Sequence, residues 1–208
     1  MDTFPIVAVA SSTGDLEAVV ELLSALPATC SEAFVIVQHF DPGRRDTPLD
    51  DALAKRTSHP VVLAQDGAMP ERGHVYVTRA NVALTIIGGR FRVSPVGGAL
   101  QGPADALFTS LAADRGDEAI GVVLSGGGCD GALGVQTIKR AGGVTFAQYP
   151  GSARFPSMPI SAIETGCVGS VLRPNEIAHE LTRLSRLKSR PEGIPVPVSL
   201  SGVLSVAG

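Results

Sequence analysis

Apolar positions along this chain follow two alternating rhythms. Short unbroken runs rich in Val, Ile and Ala, at Ile6–Ala10, 33–38, 60–64 and 119–124, read as strands, the first two buried. Between them stand segments with three- and four-residue spacing. Leu16, Val19, Val20, Leu22 and Leu23 predict a helix over about 15–26, and similar spacing predicts helices over 49–56, 104–114, 131–141, 159–165 and 174–187. Further strands are expected at 143–147 and 168–172. This alternation predicts an α/β fold: a doubly wound, mostly parallel sheet with helices on both faces. One region breaks the rhythm. Three short runs, 74–78, 82–87 and 90–93, follow one another without a helix, and Gly88-Gly89 between the last two is a hairpin signal. They predict an inserted antiparallel β-ribbon over about 74–93. From Lys188 the pattern dissolves into Pro-Glu-Gly-Ile-Pro-Val-Pro-Val, so the expected organisation is one domain over 1–187 and a Pro-rich tail or linker over 188–208.

Composition narrows the class. The 208 residues suffice for one domain with a sizeable core, and 24 Gly with 15 Pro fit many tight turns. Net charge is −3 with Lys and Arg scattered, which argues against nucleic acid as a partner. No apolar run approaches the roughly 20 residues that cross a bilayer. The opening Met1-Asp2-Thr3 lacks the basic region of a signal peptide. Cys30, Cys129 and Cys167 form no C-x-x-C pair, so neither a disulfide framework nor a zinc site is indicated. A cytoplasmic protein without membrane insertion is expected.

The candidate chemistry is positional. Ser12 follows the first strand, His39 ends the second, and Asp130 lies in the glycine loop after the strand that ends at Leu124. In an open parallel sheet all three stand at the carboxyl ends of strands, where such folds place their ligands. A serine nucleophile needs an imidazole to take its proton, and the imidazole needs a carboxylate to fix its tautomer. Each residue also has a plainer reading: Ser12 in a helix-capping turn, His39 bonding a loop, Asp130 capping the helix that follows it. The other histidines are worse placed, with His59 on the opposite sheet edge, His74 starting a strand and His179 on an outer helix face. The order Ser, His, Asp is not that of α/β-hydrolases, and no G-x-S-x-G surrounds Ser12. Nor is Gly126–Gly128 a phosphate-binding P-loop, since no Gly-Lys-Ser/Thr follows.

Three segments, Ala10-Ser-Ser-Thr-Gly14, Val35-Ile-Val-Gln-His39 and Val123-Leu-Ser-Gly-Gly-Gly-Cys-Asp-Gly131, resemble the active-site motifs of the CheB protein-glutamate methylesterase catalytic domain. Gly73-His-Val-Tyr-Val77, Ala141-Gly-Gly-Val-Thr145 and Ser157-Met-Pro-Ile-Ser-Ala-Ile163 extend the resemblance over about 5–186. It looks closest to the version in fused methylesterase–methyltransferase chemotaxis proteins. The resemblance implies a serine hydrolase that demethylates glutamate methyl esters on the cytoplasmic helices of chemoreceptors and deamidates certain glutamines. It matches Ser12 to the nucleophile, His39 to the general base and Asp130 to the orienting acid. Backbone N–H groups at Thr13 and in the glycine loop, at Gly127, are matched to the oxyanion site. It calls for no metal or organic cofactor. The partners it implies are methyl-accepting chemoreceptors and a methyltransferase or receiver domain. Two readings stay beside it: a CheB-like binding or regulatory module with weakened turnover, and an esterase of the same mechanism with another substrate. Two departures bear on them. Asp15 follows Gly14 where the family usually has a second glycine, and a carboxylate there suits the helix dipole but opposes an oxyanion close by. Gly127 stands where the family usually has a larger residue, often Met, which removes an apolar wall.

Overall fold

The computed structural model describes residues 4–12, 15–39, 49–79, 82–95 and 102–188, with His39 and Lys188 described as backbone. Strands β1 (Ile6–Ser12), β2 (Ala33–His39), β3 (Val61–Leu63), β4 (Val75–Val77), β7 (Ala119–Val123), β8 (Val144–Gln148) and β9 (Ser170–Leu172) form one sheet in the order β3-β4-β2-β1-β7-β8-β9. Every pairing within it is parallel. A separate antiparallel ribbon joins β5 (Val82–Ile87) to β6 (Arg90–Pro95). The helices are α1 (Leu16–Ser24), α2 (Leu49–Ala54), α3 (Pro103–Arg115), α4 (Ala132–Arg140), α5 (Ser157–Glu164) and α6 (Pro174–Lys188).

Side-chain alternation along β1 divides the core. Ala8 and Ala10 point into a cluster with Leu107, Phe108 and Leu111 of α3 and Val135 and Ile138 of α4. Val7 and Val9 point the other way, to Val19, Leu22 and Leu23 of α1 and to Ile177 and Leu181 of α6. Small residues let the first layer lie close. A Cβ on Gly121 of β7 would stand 2.6 Å from Ile138 Cδ1, and one on Gly134 of α4 would collide with Phe108 Cβ. The glycine in the first turn of α4 therefore sets how near α3 can come, and the starts of the two helices meet. Among the described residues no helix is long and apolar enough to cross a membrane.

The doubly wound α/β expectation holds, with two adjustments. Val75–Val77 belongs to the parallel sheet, between β3 and β2, and only 82–95 makes the ribbon. Its three residues are all buried, which suits an inner strand and not a two-stranded ribbon with an open face. The ribbon instead buries Leu84, Ile86 and Phe91 in the α3 cluster and leaves Arg90 and Arg92 in solvent. The second adjustment concerns Ser11 and Ser12, which continue β1 instead of starting the turn, because both keep parallel register with β2. Of the Pro-rich tail expected over 188–208, Lys188 ends α6 and 189–208 lie outside the described residues.

His59, on the amino edge before β3, is 4% exposed, and its Nδ1 stands 3.8 Å from Cys30 Sγ. Burial holds its imidazole below the ordinary histidine range, and burial with Glu32 nearby pushes the Cys30 thiol up to about 11. This pair is inert packing, not a reactive dyad. The histidine still links stability to pH. The folded state keeps His59 neutral, while the unfolded chain takes up a proton below about pH 6.5, so stability present above that pH is lost as pH falls toward the depressed folded value. Thermal midpoints of wild type and His59→Gln measured between pH 7.5 and 5.5 should diverge. The wild type should lose more, by up to about 1.4 kcal/mol per pH unit. Parallel losses in both proteins would refute the assignment.

Candidate active site

Strand β1 is where the sheet's winding reverses: β2 lies on one side and β7 on the other, so the loops leaving β1 and β7 diverge and open a crevice. Ser12 closes β1 and is half-buried. Its register partner on β2 is His39, the last residue of that strand. Adjacent strands lie about 4.8 Å apart, so the sheet itself sets these two residues side by side. On the other flank the ladder continues past β7. Leu124 N–H donates to Ala10 C=O at 2.8 Å, and Ser12 N–H donates to Ser125 C=O at 3.2 Å. Ser12 is thus held between β2 and the loop that carries Asp130.

Asp130 is 9% exposed. Its Oδ2 accepts the N–H of Ala104 and its Oδ1 the N–H of Asp105, both at 3.0 Å. These belong to the first turn of α3, whose opening N–H groups have no partner within the helix. Asp130 does cap a helix, but a different one from the helix that follows it. The close approach needs Gly102, since a Cβ there would collide with the Asp130 carboxylate. Gly131, at φ 97°, then turns the chain into α4.

The loop between Leu124 and Asp130 is tied on its outer side as well. Ser125 N–H donates to Gln148 Oε1 at 2.8 Å, and Gln148 Nε2 donates onward to Ser152 C=O at 3.1 Å. Phe155 N–H donates to Ser125 Oγ at 2.9 Å, Gly126 N–H to Phe155 C=O at 2.8 Å, and Met158 N–H to Gly126 C=O at 2.9 Å. The amides of Ser12 and Gly126 are therefore occupied and unavailable to an oxyanion. Among the described residues the Gly127 N–H meets no acceptor, and a Cβ there would find nothing within 4 Å. Thr13, the other expected oxyanion donor, lies outside the described residues.

Asp15 heads α1, is 6% exposed and donates its N–H to Ser12 C=O at 3.2 Å. Its side chain caps no helix amide. It lines a cavity of about 380 Å³ together with Glu21, Gln148, Ser152 and Arg154, whose walls include neither Ser12 nor the Gly127–Asp130 loop. Arg154 lines the same cavity.

Ser12, His39, Gly127 and Asp130 share the carboxyl edge of the sheet, as their positions after strands predict. Ser125, Gln148 and Asp105 form the supporting shell, and sequence reasoning passed over all three. Ser125 and Gln148 left a signal, since each is a polar residue directly at the end of an apolar strand on that edge. Asp105 left none of its own, being one acidic residue in a helix's first turn.

Comparison with known proteins places the same elements in one group. The family model described as CheB methylesterase matches residues 7–181. The chain is 34% identical over 183 residues to protein-glutamate methylesterase/protein-glutamine glutaminase 3 of Paramagnetospirillum magneticum, covering 86% of this chain and 51% of that protein. It is 38% identical over 175 residues to the corresponding protein 1 of Caulobacter vibrioides, covering 81% and 50%. An uncharacterized 104.1 kDa protein of Rhodobacter capsulatus is 40% identical over 151 residues, which are 68% of this chain and 16% of that one. The chain spans about half the length of the first two relatives. The crystal structure of the Thermotoga maritima CheB methylesterase catalytic domain superposes with a TM-score of 0.78 at 28% identity, covering 88% of this chain and 99% of that one.

Proposed function

This chain belongs to the CheB methylesterase family, and on that premise we propose that it is a serine hydrolase removing methyl groups from glutamate γ-esters of chemoreceptors. The observation that carries the reading is the register of Ser12 with His39, flanked across β1 by the loop of Asp130. In this mechanism the Ser12 Oγ attacks the ester carbonyl carbon while its proton passes to the His39 imidazole. The tetrahedral oxyanion is met by the backbone N–H groups of Gly127 and Thr13. Collapse breaks the bond to the methoxy oxygen, which leaves as methanol with the proton from His39. Water then gives a proton to His39 and attacks the acyl carbon, and Ser12 departs with that proton, leaving a glutamate. Glutamine follows the same steps with ammonia as the leaving group. Asp130 serves as the orienting acid, and two amide donors hold its carboxylate in place. The partners follow from the substrate: cytoplasmic helices of methyl-accepting chemoreceptors in the cytoplasm, the methyltransferase that supplies the ester, and a receiver domain that governs access.

The test is methanol release from a methylated receptor cytoplasmic fragment. Release that depends on the protein and saturates with the fragment is expected. Release at the buffer rate, with the chain folded, would overturn the proposal. Saturable release from small methyl esters, with none from the receptor fragment, would reassign the substrate.

A further inference from the structure

The first turn of α3 holds a second carboxylate that this mechanism does not use. Asp105 Oδ1 accepts the N–H of Gly131 at 3.0 Å and that of Gly134 at 2.7 Å, both at the start of α4. In the opposite direction, Asp130 accepts the N–H groups of Ala104 and of Asp105 itself. Each helix start thus gives its unpaired amides to the aspartate of the other. The exchange is reciprocal, and it closes on the turn that carries Asp130.

This clasp holds the buried Asp130 carboxylate and the half-buried Asp105 carboxylate near each other, which is costly. Burial pushes the Asp105 carboxyl above its ordinary range and the neighbouring Asp130 adds to the push, while the amides of Gly134 and Gly131 draw it back. A hydroxyl or amide side chain would cap α4 without that repulsion. The feature that matters is the Oδ1 oxygen, which takes two amides three residues apart and so fixes the start of α4 at both points. Any rotation of that start would swing Asp130, which stands immediately before Gly131.

We propose that Asp105 is a positioning residue for Asp130: by binding the Gly131 and Gly134 amides it fixes the turn from which Asp130 presents its carboxylate to the site. The proposal rests on Asp130 being the orienting acid of the hydrolase reading. Turnover tests it through an exchange of variants. Asp105→Ala should lower kcat about 10²-fold with KM little changed, the scale of a catalytic group misplaced by about an ångström. Asp105→Asn keeps the Oδ1 acceptor and should remain within about threefold of wild type. On an Asp130→Asn background, Asp105→Ala should cost less than about threefold more, because the two act through one another. Full activity in Asp105→Ala, or the same loss on both backgrounds, would overturn the proposal. Should Asp105→Ala fail to fold, Asp105→Glu takes its place. The longer side chain keeps the charge but displaces the acceptor, so it should be slower than Asp105→Asn, and a glutamate variant as fast as the asparagine one would also refute positioning. One readout needs no turnover. The Asp130 side-chain carboxyl carbon, 25 residues away in the chain, should move further in the NMR spectrum of Asp105→Ala than in that of Asp105→Asn, which keeps the Oδ1 acceptor. Equal displacements in the two variants overturn positioning even if wild type proves inactive. A larger one in Asp105→Ala supports it whatever the substrate turns out to be.

Discussion

Ser12→Ala should lower methanol release by a factor on the order of 10⁵, leaving the residual catalysis that backbone donors and binding supply without a nucleophile. The expectation is sharp because, among the described residues, no hydrogen bond is made by the Ser12 hydroxyl. The residue is held by its backbone, through register with His39 and through the amide bond to Ser125, and alanine preserves both. The thermal midpoint should therefore stay within about 2 °C of wild type, the effect of well under 1 kcal/mol in a domain of this size. Steady-state rates and melting curves on the same preparations check both halves. A variant retaining a tenth of the wild-type rate would exclude Ser12 as the nucleophile.

Asp130→Asn should cost activity and stability together. Loss of the orienting carboxylate beside a catalytic imidazole lowers kcat by about 10⁴-fold in serine hydrolases of this logic. The structural half follows from the two oxygens, each of which accepts an amide of α3. Asparagine has one acceptor oxygen, so its NH₂ group must face either Ala104 N–H or Asp105 N–H, donor against donor. Leaving a buried donor unsatisfied costs about 1–3 kcal/mol, enough to lower the midpoint by several degrees. Kinetics and calorimetry on this variant separate the roles. A large rate loss with an unchanged midpoint would mean that the capping bonds contribute little. An unchanged rate would remove Asp130 from the mechanism.

Much of this organisation could be read from the chain. The inner strands of the parallel sheet are buried on both faces, so their apolar runs stand out, and a residue's place after a strand suffices to put Ser12, His39 and Asp130 on one edge. Other features were not legible, for physical reasons. Strand order depends on pairings between distant segments, and no local periodicity encodes that β1 lies between β2 and β7. Val75–Val77 reads as part of the ribbon, because three apolar residues carry no sign of whether the next strand lies beside them or across the sheet. Asp130 reads as the cap of its own helix, because the amides it binds come 25 and 26 residues earlier in the chain. Gly102 carries no mark in the sequence of its part in the site, which is to leave room for the Asp130 carboxylate.

The vacancy beside Gly127 bears on how such a site changes over generations. The strained turn falls to Gly128, at φ 87°, and Gly127 itself is not held in a left-handed conformation. Among the described residues, a Cβ added there would meet nothing within 4 Å, so the sheet, the Ser125 bonds and the Asp105–Asp130 clasp would keep their places. If the proposed oxyanion role of Gly127 holds, a change of ester can therefore be met through one codon, at a position where the described fold leaves room for a side chain.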